Sequence, residues 1–170
     1  MTRILLFSSL LVFVVTACQD ADQSDQILIP VQKEFPNVDE ALWPYFSNFE
    51  EEAAKRNINV DLSRTTITGT IQSIHEDGIA GSCSYGGRQR ENEVIIDSEF
   101  WNRASSLLKE YIIFHELGHC FLFRDHKEAC LTNRTWASIM RSGTTSDCRD
   151  NYNSQTRDYY VDELFGLEDN

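Results

Sequence analysis

The sequence predicts an α+β domain: a small mixed β-sheet, one backing helix, a second helix that carries the chemistry, and an irregular C-terminal part pinned by disulfides. Three observations predict it. Apolar residues recur at helical spacing in 37–57 and again beyond Ser105. Residues 60–74 and 93–97 are short runs rich in Thr, Ile and Val, the composition of strands. After position 126 the periodicity stops, and a polar stretch holds Cys130 and Cys148.

Taken in order, the chain opens with a segment that precedes the fold. Arg3 supplies a positive charge ahead of an apolar run, 4–15, that is too short to be a comfortable membrane span. The run ends in Val15-Thr16-Ala17-Cys18, an aliphatic residue, two small ones and a cysteine. This resembles a bacterial lipobox, which implies a lipoprotein signal peptide at 1–17 and lipidation of Cys18. An ordinary signal peptide cut near Ala17 would instead leave Cys18 as a free thiol. Acyl chains on Cys18 would hold the protein at the membrane of the cell envelope. Gln19 stands where an aspartate marks inner-membrane retention in some bacteria, which favours the outer membrane or cell surface, although Asp20 leaves the choice open. Residues 18–36 are polar, carry Pro30 and Pro36 and lack periodicity, as suits a tether. The folded domain is expected at 37–170.

Export bears on the other cysteines. Cys83, Cys120, Cys130 and Cys148 are an even number in an oxidising compartment, so two disulfides are expected, in any of three connectivities. The lesser alternative is a thiolate metal ligand from Cys120 or Cys130. Cys120 adjoins His119 and so points about a quarter-turn away from its face.

Within the domain, 37–57 reads as the first helix, with Asn37 and Glu40 as a capping pair and Leu42, Phe46, Phe49 and Ala53 on its apolar face. Pro44 moves its start towards Trp43. Residues 60–74 predict one strand, or two with a bend at Gly69, ended by His75 and the turn Glu76-Asp77-Gly78. His75 reads as a strand-end histidine rather than a ligand. A short edge strand is expected at 79–85, a mobile loop at Gly86-Gly87-Arg88 and a compact strand at 93–97. A helix follows from Ser105, with Leu108, Ile112, His115 and His119 on one face. Residues 127–157 have loop chemistry, and 158–167 predict a closing helix that packs Tyr160, Leu164 and Phe165.

The functional signal lies in His115 to His126, HELGHCFLFRDH. Histidines four apart on a helix stand on one face, so His115 and His119 can reach a single Zn²⁺, and Glu116 lies beside it to take a proton from water. A catalytic zinc normally has three protein ligands. His126 lies just beyond the apolar run, and Asp125 is one residue nearer. Downstream come Ser138-Ile139-Met140.

That set resembles the metzincin clan of zinc endopeptidases, whose pattern is H-E-x-x-H-x-x-G-x-x-H followed by a Met-turn. The resemblance covers about a third of the chain. It implies His115 and His119 as ligands, Glu116 as the catalytic base and Met140 as the methionine beneath the metal. Strict spacing puts Asp125 at the third-ligand position, with His126 one residue later; His126 is preferred because neutral imidazole is the commonest protein metal ligand. The clan's turn glycine is missing, with Leu122 at its strict position and Phe123 three residues before His126. Analogy with zincins also makes 79–97 the candidate edge against which an extended substrate would pair, and makes 127–157 the wall of the cleft's primed side.

These residues imply a zinc-dependent metallopeptidase acting on peptide or protein substrates at the bacterial cell envelope. A net charge of −12 without a basic cluster argues against nucleic acid. The alternative from another class is a binding lipoprotein of zincin fold that lacks turnover. A further rival takes a distant acid such as Glu163 as third ligand, as gluzincins do.

Overall fold

A three-stranded mixed sheet and four α-helices make up the described part of the chain, an α+β fold. The computed structural model describes residues 33–85, 91–143 and 148–167. The signal peptide, Cys18, the tether as far as residue 32 and the Gly86-Gly87-Arg88 loop lie outside these residues. Among the described residues no helix is long and apolar enough to cross a membrane.

Helix α1 (Trp43–Lys55) follows a single 3₁₀ turn over Glu40–Leu42, and Pro44 sits in its first turn, where its missing N–H costs nothing. Phe46, Phe49 and Ala53 face inward. The expected Asn37 cap is absent. Asn37 takes the left-handed conformation at φ 65°, and its carbonyl accepts from Gly69 N–H at 3.2 Å. Asp39 accepts instead from Ile71 N–H at 2.7 Å, tying the helix entry to the sheet. Packing reaches back into the expected tether: Phe35 is 2% exposed and meets Phe46 edge-on at 5.5 Å between ring centroids. Burying a ring of that size contributes about 1.5–3 kcal/mol, so the chain is held ahead of residue 37.

The predicted long strand is shorter. Residues Leu62–Arg64 form a 3₁₀ turn, because Ser63 and Thr65 bond locally to Asp61 and the Leu62 carbonyl at 2.6 and 2.7 Å. Strand β1 (Thr68–Gln72) then runs straight through Gly69. A Cβ at Gly69 would sit 3.1–3.2 Å from Val38, Leu42 and Phe46, so this glycine marks close helix–strand approach, not a bend. Strand β2 (Gly81–Ser84) and β3 (Glu93–Asp97) complete the order β1-β3-β2, with β3 parallel to β1 and antiparallel to β2. Val94 and Ile96 bury the central strand. Asp97 ends it by capping α2 (Ser98–Arg103), accepting from Phe100 N–H at 2.8 Å.

Helix α3 (Ser106–Cys120) starts where expected, with the Ser105 hydroxyl accepting from Leu108 N–H. Ile113, Phe114, Leu117 and Cys120 are fully buried against the sheet and α1, with Phe49 and Phe114 in edge contact at 5.2 Å. The next stretch is irregular. It is tied by the Cys130–Cys148 disulfide and by isolated bridges of Cys130 to Trp136 and Thr135 to Arg149. A second disulfide, Cys83–Cys120, joins β2 to the end of α3. Helix α4 (Arg157–Leu164) closes the domain, with Tyr160 and Leu164 buried and Phe165 against Phe49 at 5.1 Å.

Candidate metal centre

Helix α3 brings His115 and His119 to its cleft face one turn apart, and the chain beyond it turns back to add His126. One ligand atom from each lies within 4.8 Å of the others. Among the described residues, no other group of three or more His, Cys, Asp or Glu side chains is arranged to hold a metal. Asp125 lines the same cleft but does not join that group, and Glu163 is elsewhere. His75 is exposed three residues beyond β1 and does not join that group.

The return turn is built without glycine. Phe123 occupies the left-handed region at φ 56°, three residues before His126, and Arg124 N–H closes the turn onto the Gly118 carbonyl at 2.9 Å. Arg124 holds the turn from its other end: its guanidinium donates to the Glu163 and Leu164 carbonyls at 2.7 and 2.9 Å and pairs with the Glu163 carboxylate. Glu163 also accepts from Ser138 Oγ at 2.6 Å and pairs with Lys127 at 3.2 Å. The distant acid is thus a buried anchor for the site's framework, not a member of it.

Carbonyl oxygens decide the histidine tautomers. His115 Nδ1 lies 2.8 Å from the Ile139 carbonyl and His119 Nδ1 2.6 Å from the Arg124 carbonyl. A carbonyl only accepts, so each Nδ1 carries the proton and each Nε2 presents its lone pair. The two Nε2 atoms face each other at 3.1 Å. Two lone pairs so aimed repel unless a cation lies between them, and imidazole nitrogens suit a transition metal. Burial, together with the charges of His119 and His126, pushes His115 down to about 4 against the opposing bond to Ile139. Burial lowers His119 too. Both are therefore neutral at pH 7, the form that binds a metal. The donor set fits such an ion.

Glu116 is 3% exposed and lines the same cleft, and burial raises its carboxyl to about 8. A cation held by the imidazoles would draw that value back down. The cleft, about 610 Å³, is lined by residues 78–83, by Tyr111 and Trp136, and by residues 141–143. Strand β2 is an edge of the sheet within the expected 79–97, whereas β3 is its centre.

The Ser138-Ile139-Met140 segment lies beneath the helix. Met140 is fully buried against Gly118, and its carbonyl accepts from Lys127 N–H at 2.9 Å, directly after His126. Its neighbour Ile139 orients His115. Three tyrosines of the C-terminal part are held by hydrogen bonds: Tyr152 donates to Glu110, Tyr159 to the Ala137 carbonyl and Tyr160 to the Trp136 carbonyl, at 2.7–3.0 Å. Tyr85, which no motif marks, lines the cleft from just beyond β2 and donates its hydroxyl to the His119 carbonyl at 3.2 Å. The parts that the Ile139 and Arg124 carbonyls play are equally unreadable in the sequence, because a backbone carbonyl leaves no trace in residue identity.

No family model, curated protein or solved structure matches this chain.

Proposed function

We propose that this chain is a zinc metallopeptidase of metzincin type, held at the bacterial cell envelope by lipid on Cys18. One observation carries the reading: His115, His119 and His126 converge in a cleft that also holds the buried carboxyl of Glu116. A purely structural metal site has no need of an acid beside its ligands. The disulfides Cys83–Cys120 and Cys130–Cys148 support an oxidising, extracytoplasmic setting.

His115, His119 and His126 would hold Zn²⁺, with the first two rings fixed by the Ile139 and Arg124 carbonyls. When bound, Zn²⁺ supplies Lewis acidity, which lowers the pKa of water and polarises a carbonyl. Glu116 takes the proton from the attacking water and hands it to the leaving amine. The open edge of β2 offers backbone groups to an extended peptide. Residues 141–143 and Trp136 also line the cleft.

Metal analysis of the purified chain with peptide-hydrolysis assays tests this. One zinc per chain is expected, lost in His126→Ala and kept in Asp125→Ala. Glu116→Gln should keep zinc and lose roughly 10²–10⁴-fold in turnover. A wild-type chain that takes up zinc yet cleaves no peptide would turn the reading into that of a binding lipoprotein. A chain that takes up none would remove the metal as well.

A further inference from the structure

Strand β2 comes up against the acid of the site at Gly81. A Cβ built on Gly81 would lie 2.9 Å from Glu116 Oε1, 3.0 Å from its Cγ and 3.1 Å from Ile112 Cγ1. The backbone of the edge strand therefore lies directly against the Glu116 side chain, at a distance only a residue without a side chain permits. Glycine loses more chain entropy on folding than any other residue, so its presence at the first position of β2 needs a local reason. Its φ is negative, so the reason is space and not backbone conformation.

Which partner would yield to a methyl group depends on what holds each. Three restraints hold the strand. Gly81 pairs with Ile96 of the buried central strand. The Ala80 carbonyl accepts from Asp97 N–H at 3.0 Å. Two residues on, the Cys83–Cys120 disulfide bolts β2 to the last residue of α3. The backbone of Glu116 is fixed equally well, in the middle of that helix. The movable part is the Glu116 side chain beyond Cα.

We propose that Gly81 is a positioning residue for Glu116: the bare backbone of β2, clamped to α3 by Cys83–Cys120, forms the wall that sets where the carboxylate stands in the cleft. The inference rests on the catalytic reading of Glu116 for its consequence, but its geometry stands apart from that reading. A displaced carboxylate would leave metal binding and substrate binding intact and impair the proton transfer alone.

The test uses the full chain loaded with Zn²⁺, comparing Gly81→Ala with wild type and with Gln72→Ala, an exposed change at the end of β1. In Gly81→Ala, zinc content, thermal midpoint and KM should match wild type while kcat falls roughly tenfold or more, since misplacing a reacting group by about 1 Å can cost 10²-fold. Unchanged kcat overturns the proposal, and so does a loss of kcat that comes with lost zinc or a lowered midpoint. A crystal structure of Gly81→Ala supplies the readout that needs no turnover. A carboxylate swung away from β2 supports the proposal even if the wild type proves not to be a peptidase. An unmoved carboxylate with a retreated strand overturns it.

Discussion

Gly118 lies flat against Met140: a Cβ at this position would collide with the Met140 sulfur and come within 3.0 Å of its methyl carbon and 3.1 Å of Leu164 Cδ1. The glycine inside the histidine motif and the methionine twenty-two residues on are therefore two halves of one contact. Because Ile139 beside Met140 orients His115, the contact also bears on the histidine cluster. Gly118→Ala should cost about 1–3 kcal/mol by overpacking and weaken zinc binding, read by urea unfolding and by competition with a chelator. Met140→Leu, which conserves volume, should cost under about 1.5 kcal/mol.

The return turn to His126 carries strain at Phe123, which is 71% exposed at φ 56°. The left-handed conformation costs an ordinary L-residue about 1–2 kcal/mol. Glycine escapes that cost but loses about 0.5–1 kcal/mol in chain entropy. Phe123→Gly should thus keep zinc and match or exceed wild-type stability by up to about 1 kcal/mol, whereas β-branched Phe123→Val should fall below it. Chemical denaturation curves of the three proteins check the order.

Glu163 holds the framework through Arg124, Lys127 and Ser138. Glu163→Gln keeps the shape but removes the charge that both cations face. A loss of about 2 kcal/mol is expected, the range for hydrogen bonds to a charged group. Zinc stoichiometry should stay at one per chain, which would separate an anchor from a ligand.

An acid-dependent contribution to stability comes from Glu52, buried where α1 meets α4. Burial pushes its carboxyl up, but hydrogen bonds from Lys55 and Arg56 and the charge of Arg157 outweigh that and bring it down to about 2, from an ordinary value of 4.5. The folded state therefore binds this proton less readily than the unfolded chain. The stability it contributes is complete above pH 4.5 and is lost as pH falls towards 2. In the metal-free protein, urea midpoints measured across that window should fall less steeply for Glu52→Gln than for wild type. Parallel slopes would show that the ion pairs contribute nothing.

Chelation should act on the whole domain. With zinc held as proposed, its removal would leave His115 and His119 with Nε2 atoms opposed at 3.1 Å in a mostly buried setting. The thermal midpoint should drop on dialysis against a chelator and recover with added Zn²⁺, rising further as free zinc exceeds its dissociation constant.

The α+β class, the two long helices, the presence of paired cysteines and the grouping of His115, His119 and Glu116 are all legible in the order of residues. Helical periodicity and i, i+4 spacing are local properties, written within one or two turns of chain. Tertiary structure decided the rest. His126 rather than Asp125 joins the cluster because the turn at Phe123 sets which side chain faces back, and an anchor at Glu163, thirty-seven residues further on, holds that turn. The cysteine pairing depends on β2 lying over the end of α3. Gly69, Gly81 and Gly118 all look like punctuation in the sequence, yet each is the place where another element's side chain fills the space a Cβ would need. Such contacts join residues distant in the chain, so no local pattern could have encoded them.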